Sequence, residues 1–159
     1  MKIVFVCTGN ASRSAAAEAV LKKMLADNGT VGVEVSSCGT KVPESLDRED
    51  VMCRLAAEHG YVMGGKAIPM TEELLNSADL IIVMTEHHRN EVTRLLAYSH
   101  WSRIVQFNDY CFGESTDLSD PHYLTEHVYR TCFDTIVAGC KEIIKKLSRG
   151  VATNVVAQY

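Results

Sequence analysis

The sequence is short of the features that would send it outside the class of ordinary globular domains. None of its six cysteines, at positions 7, 38, 53, 111, 132 and 140, stands in a C-x-x-C pair. That spacing points away from a structural zinc site and from a thioredoxin-type motif. No apolar stretch approaches the roughly 18–20 residues of a membrane span. The N-terminus runs into a strand pattern within three residues and lacks the layout of a signal peptide. Net positive charge is missing as well. Twenty acidic against sixteen basic residues leave −4, which excludes a general nucleic-acid or anionic-membrane surface and makes any anion site local. There is no internal repeat, no low-complexity tract and no linker. There is also no G-x-G-x-x-G, and Gly64-Gly65-Lys66 runs into Ala67, so no Walker loop exists. The expectation is a cytoplasmic protein with free thiols, no metal and no cofactor.

What is present fits one domain over 1–150 with a tail over 151–159. A chain of 159 residues can bury about two-thirds of its unfolded surface. Strand patterns occur at 2–7, 31–35, 79–84 and 103–107. Helical patterns occur at 14–28, 46–60, from Thr71, at 86–96 and at 123–147. Residues 36–44 read as a loop, 61–69 as a weak extended piece, and 108–121 as a long polar loop. The first strand (Ile3-Val4-Phe5-Val6) and the third (Leu80-Ile81-Ile82-Val83) are apolar on both faces, the mark of a parallel sheet covered on both sides. Alternation of strands and helices therefore predicts a three-layer α/β/α, Rossmann-like fold around a four-stranded parallel sheet. Ligands in such folds sit beyond the carboxyl ends of the strands.

Cys7 stands at such an end. The run Cys7-Thr8-Gly9-Asn10-Ala11-Ser12-Arg13-Ser14 has the form C-x5-R-S, between a buried strand and a helix start. Backbone N–H groups of such a loop can turn inward, the helix N-terminus adds partial positive charge, and Arg13 can grip two oxygens of a tetrahedral dianion. The same field favours the thiolate, the reactive form of Cys7. Ser14 can donate to that thiolate, and Gly9 supplies conformational freedom. The loop reads as a phosphate cradle with its own nucleophile. Expulsion of a leaving oxygen needs a proton, and Asp120, held extended before Pro121, is the candidate acid. The same Asp-Pro pair also reads as the cap and first residue of the last helix.

These features together resemble the low-molecular-weight protein tyrosine phosphatase family. The matching pieces are Val6-Cys7-Thr8-Gly9-Asn10 with Arg13-Ser14, Ala17-Glu18-Ala19, Ser37-Cys38-Gly39-Thr40, Leu46-Asp47-Arg48, Ala78-Asp79-Leu80-Ile81-Ile82-Val83-Met84 and Asp120-Pro121-x-Tyr123. They cover about residues 2–148 in order. The resemblance implies a phosphocysteine on Cys7, with Arg13 and the N–H groups from Thr8 to Ser14 holding the phosphate, so Thr8, Gly9, Asn10, Ala11, Ser12 and Ser14 join the site. It implies that Asp120 serves as acid and then as base, and that Asn10 braces the loop through Ser37. Lys41, Val42, His122 and Tyr123 would wall the cleft. Phosphotyrosine proteins or peptides are the implied substrates, and inorganic phosphate the product inhibitor. The sequence departs from the pattern at Ser12, where a second cysteine is common, and at Ala11, Ala15 and His122. A protein-arginine phosphatase of the same superfamily is the nearest alternative, since Met70 to Leu80 looks much like that branch. That branch typically has threonine at the position of Ala11 and phenylalanine at that of His122. An arsenate reductase on this fold would need two further cysteines after the third strand, and Met84 to Tyr110 has none. A silent phosphate-binding module is opposed by the intact Cys7, Arg13 and Asp120. The remaining histidines, including His87 and His88, read as solvated or structural.

Overall fold

The computed structural model describes residues 1–150; the proposed tail, 151–159, lies outside them. Four strands, β1 (Lys2–Cys7), β2 (Glu34–Gly39), β3 (Leu80–Val83) and β4 (Ile104–Gln106), pair in the order β2-β1-β3-β4, all parallel. The helices are α1 (Arg13–Asp27), α2 (Asp50–Glu58), α3 (Glu72–Asn76), α4 (Glu86–Leu95), α5 (Phe107–Phe112) and α6 (Glu126–Ser148), with a 3-10 turn at Tyr98–Arg103.

Strand alternation sorts the core into two layers. Ile3, Phe5 and Cys7 of β1, with Leu80 and Ile82 of β3, face α1, α2 and α6 through Val20, Leu21, Met52, Leu55, Phe133, Ile136 and Ile143. Val4, Val6, Ile81 and Val83 face the other way, against Leu75, Val92 and Leu96. The three-layer α/β/α reading therefore holds. Thr71 caps α3 as its hydroxyl suggested, accepting the Leu74 N–H at 3.2 Å.

Several boundaries move, each for a physical reason. The second strand starts and ends later than the 31–35 pattern. Gly32 turns the chain at φ 79°, and pairing begins at Lys2 with Glu34. The polar run Ser36-Ser37-Cys38, read as loop, is strand because Ser37 is fully buried and hydrogen-bonded. Leu46 and Asp47 lie outside α2, because Ala67 N–H donates to the Leu46 carbonyl and Asp47 bridges to Lys66. The stretch 108–121 is not all loop. Phe107, fully buried, opens α5, which ends at Gly113 with φ 70°. Its ring packs so closely on α6 that a Cβ on Gly139 would sit 2.3 Å from it. A six-residue helix is too short to show a periodic signal. The last helix begins at Glu126, with Thr125 before it, so Asp120-Pro121 does not cap it.

Candidate active site

The strand ends and their loops form a cleft of about 830 Å³ lined by Cys7, Thr8, Gly9, Ala11, Ser12, Arg13, Lys41, Asp120, His122 and Tyr123, with residues 43–50 on the opposite rim. Ten of the sequence-derived site residues thus meet in one place. Asn10, Ser14 and Val42 do not line it. Asn10 and Ser14 are fully buried beneath the loop.

The loop's shape follows from that buried layer. Asn10, not Gly9, takes the left-handed conformation, at φ 52°, a region asparagine tolerates better than most residues. Its side chain makes four hydrogen bonds. Nδ2 donates to Ser14 Oγ and Ser37 Oγ, each at 2.8 Å, and Oδ1 accepts from Ile68 N–H at 2.8 Å and Arg48 at 2.7 Å. Arg48 also donates to the Asn10 carbonyl, and Glu49 N–H donates to the Ala11 carbonyl at 2.9 Å. These bonds occupy the Asn10 and Ala11 carbonyls on the side of residues 48 and 49. Gly39 matters more than Gly9 does. A Cβ there would lie 2.5 Å from the Thr8 carbonyl oxygen and 2.9 Å from Asn10 N, whereas a Cβ on Gly9 would meet only Leu46, at 3.6 Å.

Cys7 Sγ lies 2.9 Å from Ser14 Oγ. Arg13, almost wholly buried, donates to the Leu118 carbonyl at 2.9 Å and stands 3.3 Å from Asp120 Oδ2. Leu118 N–H in turn donates to the Met84 carbonyl at the end of β3. The acidic segment is therefore anchored to the sheet and to the guanidinium at one residue, two positions before Asp120. His122 N–H donates to Asp120 Oδ1 at 3.2 Å, so the carboxylate's two oxygens are held in different directions. Beyond it the His122 and Tyr123 rings lie 3.7 Å apart between centroids. His122 Nδ1 sits 3.3 Å from Glu49 Oε2 across the cleft. Among the described residues no cluster of histidine, cysteine and carboxylate side chains is arranged to hold a metal.

Two other thiols lie near the site. Burial pushes both Cys38 and Cys132 up to about 12, with the nearby Cys7 adding to the rise in each and Arg13 opposing it in Cys132. Both stay as thiols, and the structure records all six cysteines as free.

Sequence reasoning missed Arg48, Glu49, Glu18 (which accepts from Ser37) and His88. Glu18 and Arg48 stood in matching family pieces but were given no role, and the further signal was indirect: a five-residue loop between Cys7 and Arg13 cannot satisfy its own carbonyls and must borrow donors from elsewhere. His88 is buried, and burial, with Arg13 and His87 adding to it, lowers its pKa from 6.5 to about 4. Folding stability should therefore be complete above pH 6.5 and fall as pH drops toward 4, because the unfolded chain takes up a proton that the folded one refuses. The expected loss is about 3 kcal/mol between pH 7 and pH 4. It is to be read as the difference in denaturant unfolding between the wild type and His88→Gln. Equal losses in the two proteins would show that His88 does not titrate in this way.

A family model described as low molecular weight phosphotyrosine protein phosphatase matches residues 2–153. The chain is 34% identical over 142 residues to the low molecular weight protein-tyrosine-phosphatase PtpB of Staphylococcus haemolyticus, covering 86% of this chain and 93% of that one. It is 28% identical over 149 residues to a protein-arginine-phosphatase of Bacillus subtilis, covering 94% and 98%. A crystal structure of a protein tyrosine phosphatase from Entamoeba histolytica, with Hepes in its active site, matches with a TM-score of 0.86 at 27% identity, covering 94% of this chain and 98% of that one.

Proposed function

The chain belongs to the low molecular weight phosphotyrosine protein phosphatase family, and from that premise we propose that it hydrolyses aryl phosphate monoesters on phosphotyrosine proteins or peptides through a phosphocysteine. The observation that carries this reading is the meeting of Cys7, Arg13 and Asp120 in one cleft, although Asp120 stands more than a hundred positions away in the chain. In this reading the phosphate enters over Cys7. Its equatorial oxygens take the loop N–H groups from Thr8 to Ser14 and the Arg13 fork, which displaces Asp120 as partner of the guanidinium. Cys7 Sγ attacks phosphorus, the bond to the phenolic oxygen breaks, and that oxygen takes the proton of Asp120. Ser14 Oγ stabilises the thiolate before attack. Water, deprotonated by Asp120, then attacks the phosphocysteine and releases inorganic phosphate, which competes for the same cradle. No metal or cofactor enters, because the charge of the phosphate is met by N–H donors and Arg13.

Gly9, Ala11 and Ser12 contribute backbone to the cradle, and Asn10 and Ser14 brace it from below. The domain runs over 1–150, with 151–159 as a tail. Free thiols and the absence, among the described residues, of a helix long and apolar enough to span a membrane fit the cytoplasmic location we assign, and the net negative charge fits a protein that does not bind nucleic acid.

The His122–Tyr123 ring pair at the mouth of the cleft favours a flat phenyl ester. A phosphoarginine substrate is the second reading. It is favoured by the Bacillus subtilis relative and by Glu44, Glu49 and Asp50 on the rim, which suit a cationic guanidinium. The deciding experiment offers phosphotyrosine and phosphoarginine peptides of one sequence to the purified protein, with Cys7→Ser as control. The expected result is a kcat/KM at least about 10-fold higher for phosphotyrosine, a difference of about 1.4 kcal/mol in transition-state stabilisation. A reversed ratio would make it an arginine phosphatase, and turnover of neither would remove the proposed activity.

A further inference from the structure

Thr8, the residue after the nucleophile, is gripped from two sides. Its carbonyl accepts the Lys41 N–H at 2.9 Å, over the gap left by Gly39. On the other side its Oγ1 lies 2.8 Å from His88 Nε2, on the first turn of α4 and 80 positions away. His88 is 1% exposed, and its other nitrogen, Nδ1, lies 3.0 Å from Thr85 Oγ1. That hydroxyl also accepts the His88 N–H at 3.3 Å as the cap of α4.

These contacts suit one placement of the ring's hydrogen. A hydroxyl carries one hydrogen and accepts through its lone pairs. Thr85 Oγ1 already accepts from the backbone, and among the described residues Nδ1 is the acceptor within its reach. In the placement that uses every donor, its hydrogen goes to Nδ1, and the neutral imidazole carries its own hydrogen on Nε2 and donates it to Thr8 Oγ1. The hydrogen of the Thr8 hydroxyl is then left over, on a residue that lines the cleft.

We propose that His88 is a positioning residue for the phosphate cradle: locked by Thr85, it donates to Thr8 Oγ1, fixes the rotamer of Thr8, and so aims the Thr8 N–H and hydroxyl at the bound phosphate. The Cys7 carbonyl, which accepts the Thr40 N–H at 2.9 Å, fixes the peptide that carries the Thr8 N–H, and with the Thr8 carbonyl tied to the β2 side and its side chain tied to α4, the start of the loop cannot rotate. The proposal rests on the phosphatase reading for its effect on turnover, but its effect on phosphate binding stands apart from that reading. The ring stays neutral through the ordinary working range, because burial, Arg13 and His87 oppose its protonation more than Asp117 and Asp120 favour it.

The test compares four single variants and one double variant by turnover of 4-nitrophenyl phosphate, calorimetric binding of inorganic phosphate, and melting temperature. Thr8→Val removes the acceptor. His88→Asn keeps a group near Nδ1 but cannot reach Thr8, whereas His88→Gln places an amide N–H near the position of Nε2. Thr8→Val and His88→Asn should each lower kcat/KM and weaken phosphate binding about 10-fold, within the range for a lost buried hydrogen bond. The double variant should be no worse than either alone. Thr8→Ser and His88→Gln should recover most of the loss. Additive losses in the double variant, or equal losses in His88→Gln and His88→Asn that follow melting temperature, would overturn the proposal. If His88→Asn fails to fold, the Thr8 pair decides alone: loss in Thr8→Val with recovery in Thr8→Ser upholds it, and two equal variants reject it. Weakened phosphate binding by Thr8→Val in a protein whose wild type shows no turnover would reject the phosphatase reading and keep the assignment of His88.

Discussion

Cys7→Ser should reduce hydrolysis by about four orders of magnitude or more, the scale on which a lost nucleophile acts, while phosphate still binds. The two effects separate because different atoms carry them. Turnover needs a sulfur that can leave phosphorus in the second step. In the proposed mechanism binding needs the loop N–H groups and Arg13, whose surroundings are held by Asn10, Arg48, Gly39 and Leu118 and do not depend on the thiol. No other cysteine can stand in. Cys38 and Cys132 are buried with their thiols pushed up to about 12, and neither lines the cleft. The check is steady-state turnover beside phosphate calorimetry on the same preparation. Residual activity within about 10-fold of wild type would remove the phosphocysteine from the mechanism.

Asp120→Asn should separate substrates by their leaving groups. An asparagine keeps the size of the side chain and can still accept the His122 N–H that Asp120 Oδ1 accepts at 3.2 Å. What it lacks is the proton for the departing oxygen. General acid catalysis contributes on the order of 10²–10⁴-fold, and that whole contribution is at stake where the leaving oxygen is basic. Phenyl phosphate and phosphotyrosine should therefore lose about 100-fold or more, whereas an aryl phosphate bearing two nitro groups, whose oxygen leaves as a stable anion, should lose less than about 10-fold. A plot of log kcat/KM against leaving-group pKa would be steeper in the variant. Parallel plots would assign Asp120 to holding Arg13, which it approaches at 3.3 Å, and not to proton transfer.

The parts of this site that the sequence announced are those where local pattern and chemistry coincide. Cys7 ends an apolar strand, Arg13 begins a helix, and Asp120 precedes a proline, so each was legible with its neighbours alone. The architecture was legible for a similar reason, because strands buried on both faces leave few arrangements. The rest depended on contacts made across the chain. Phe107 looked like the end of a strand until Gly139 made room for its ring. Ser36 and Ser37 looked like loop because they are polar; the family resemblance paired Ser37 with Asn10, but nothing showed that Glu18 would also accept from it inside a strand. His88 read as solvated or structural with no partner named, since its partner Thr8 lies in the first loop of the chain. Gly9 drew attention by its place in the motif, but the left-handed turn is made by Asn10.

The bracing of Asn10 also bears on how this protein acquires its activity as it folds. Its four side-chain hydrogen bonds come from Ser14, Ser37, Arg48 and Ile68, while Thr8 waits for His88 and Arg13 for Leu118. The proposed phosphate loop lies in the first tenth of the chain, yet its supports arrive with segments spread over the first 118 residues. Contacts of such long sequence separation form only after the loops between them have closed. During synthesis or refolding, the thiol and the arginine are therefore present long before they form a cradle. Recovery of phosphatase activity should follow the assembly of the whole sheet, and a nascent chain that has not yet delivered Leu118 cannot hold the guanidinium in its working position.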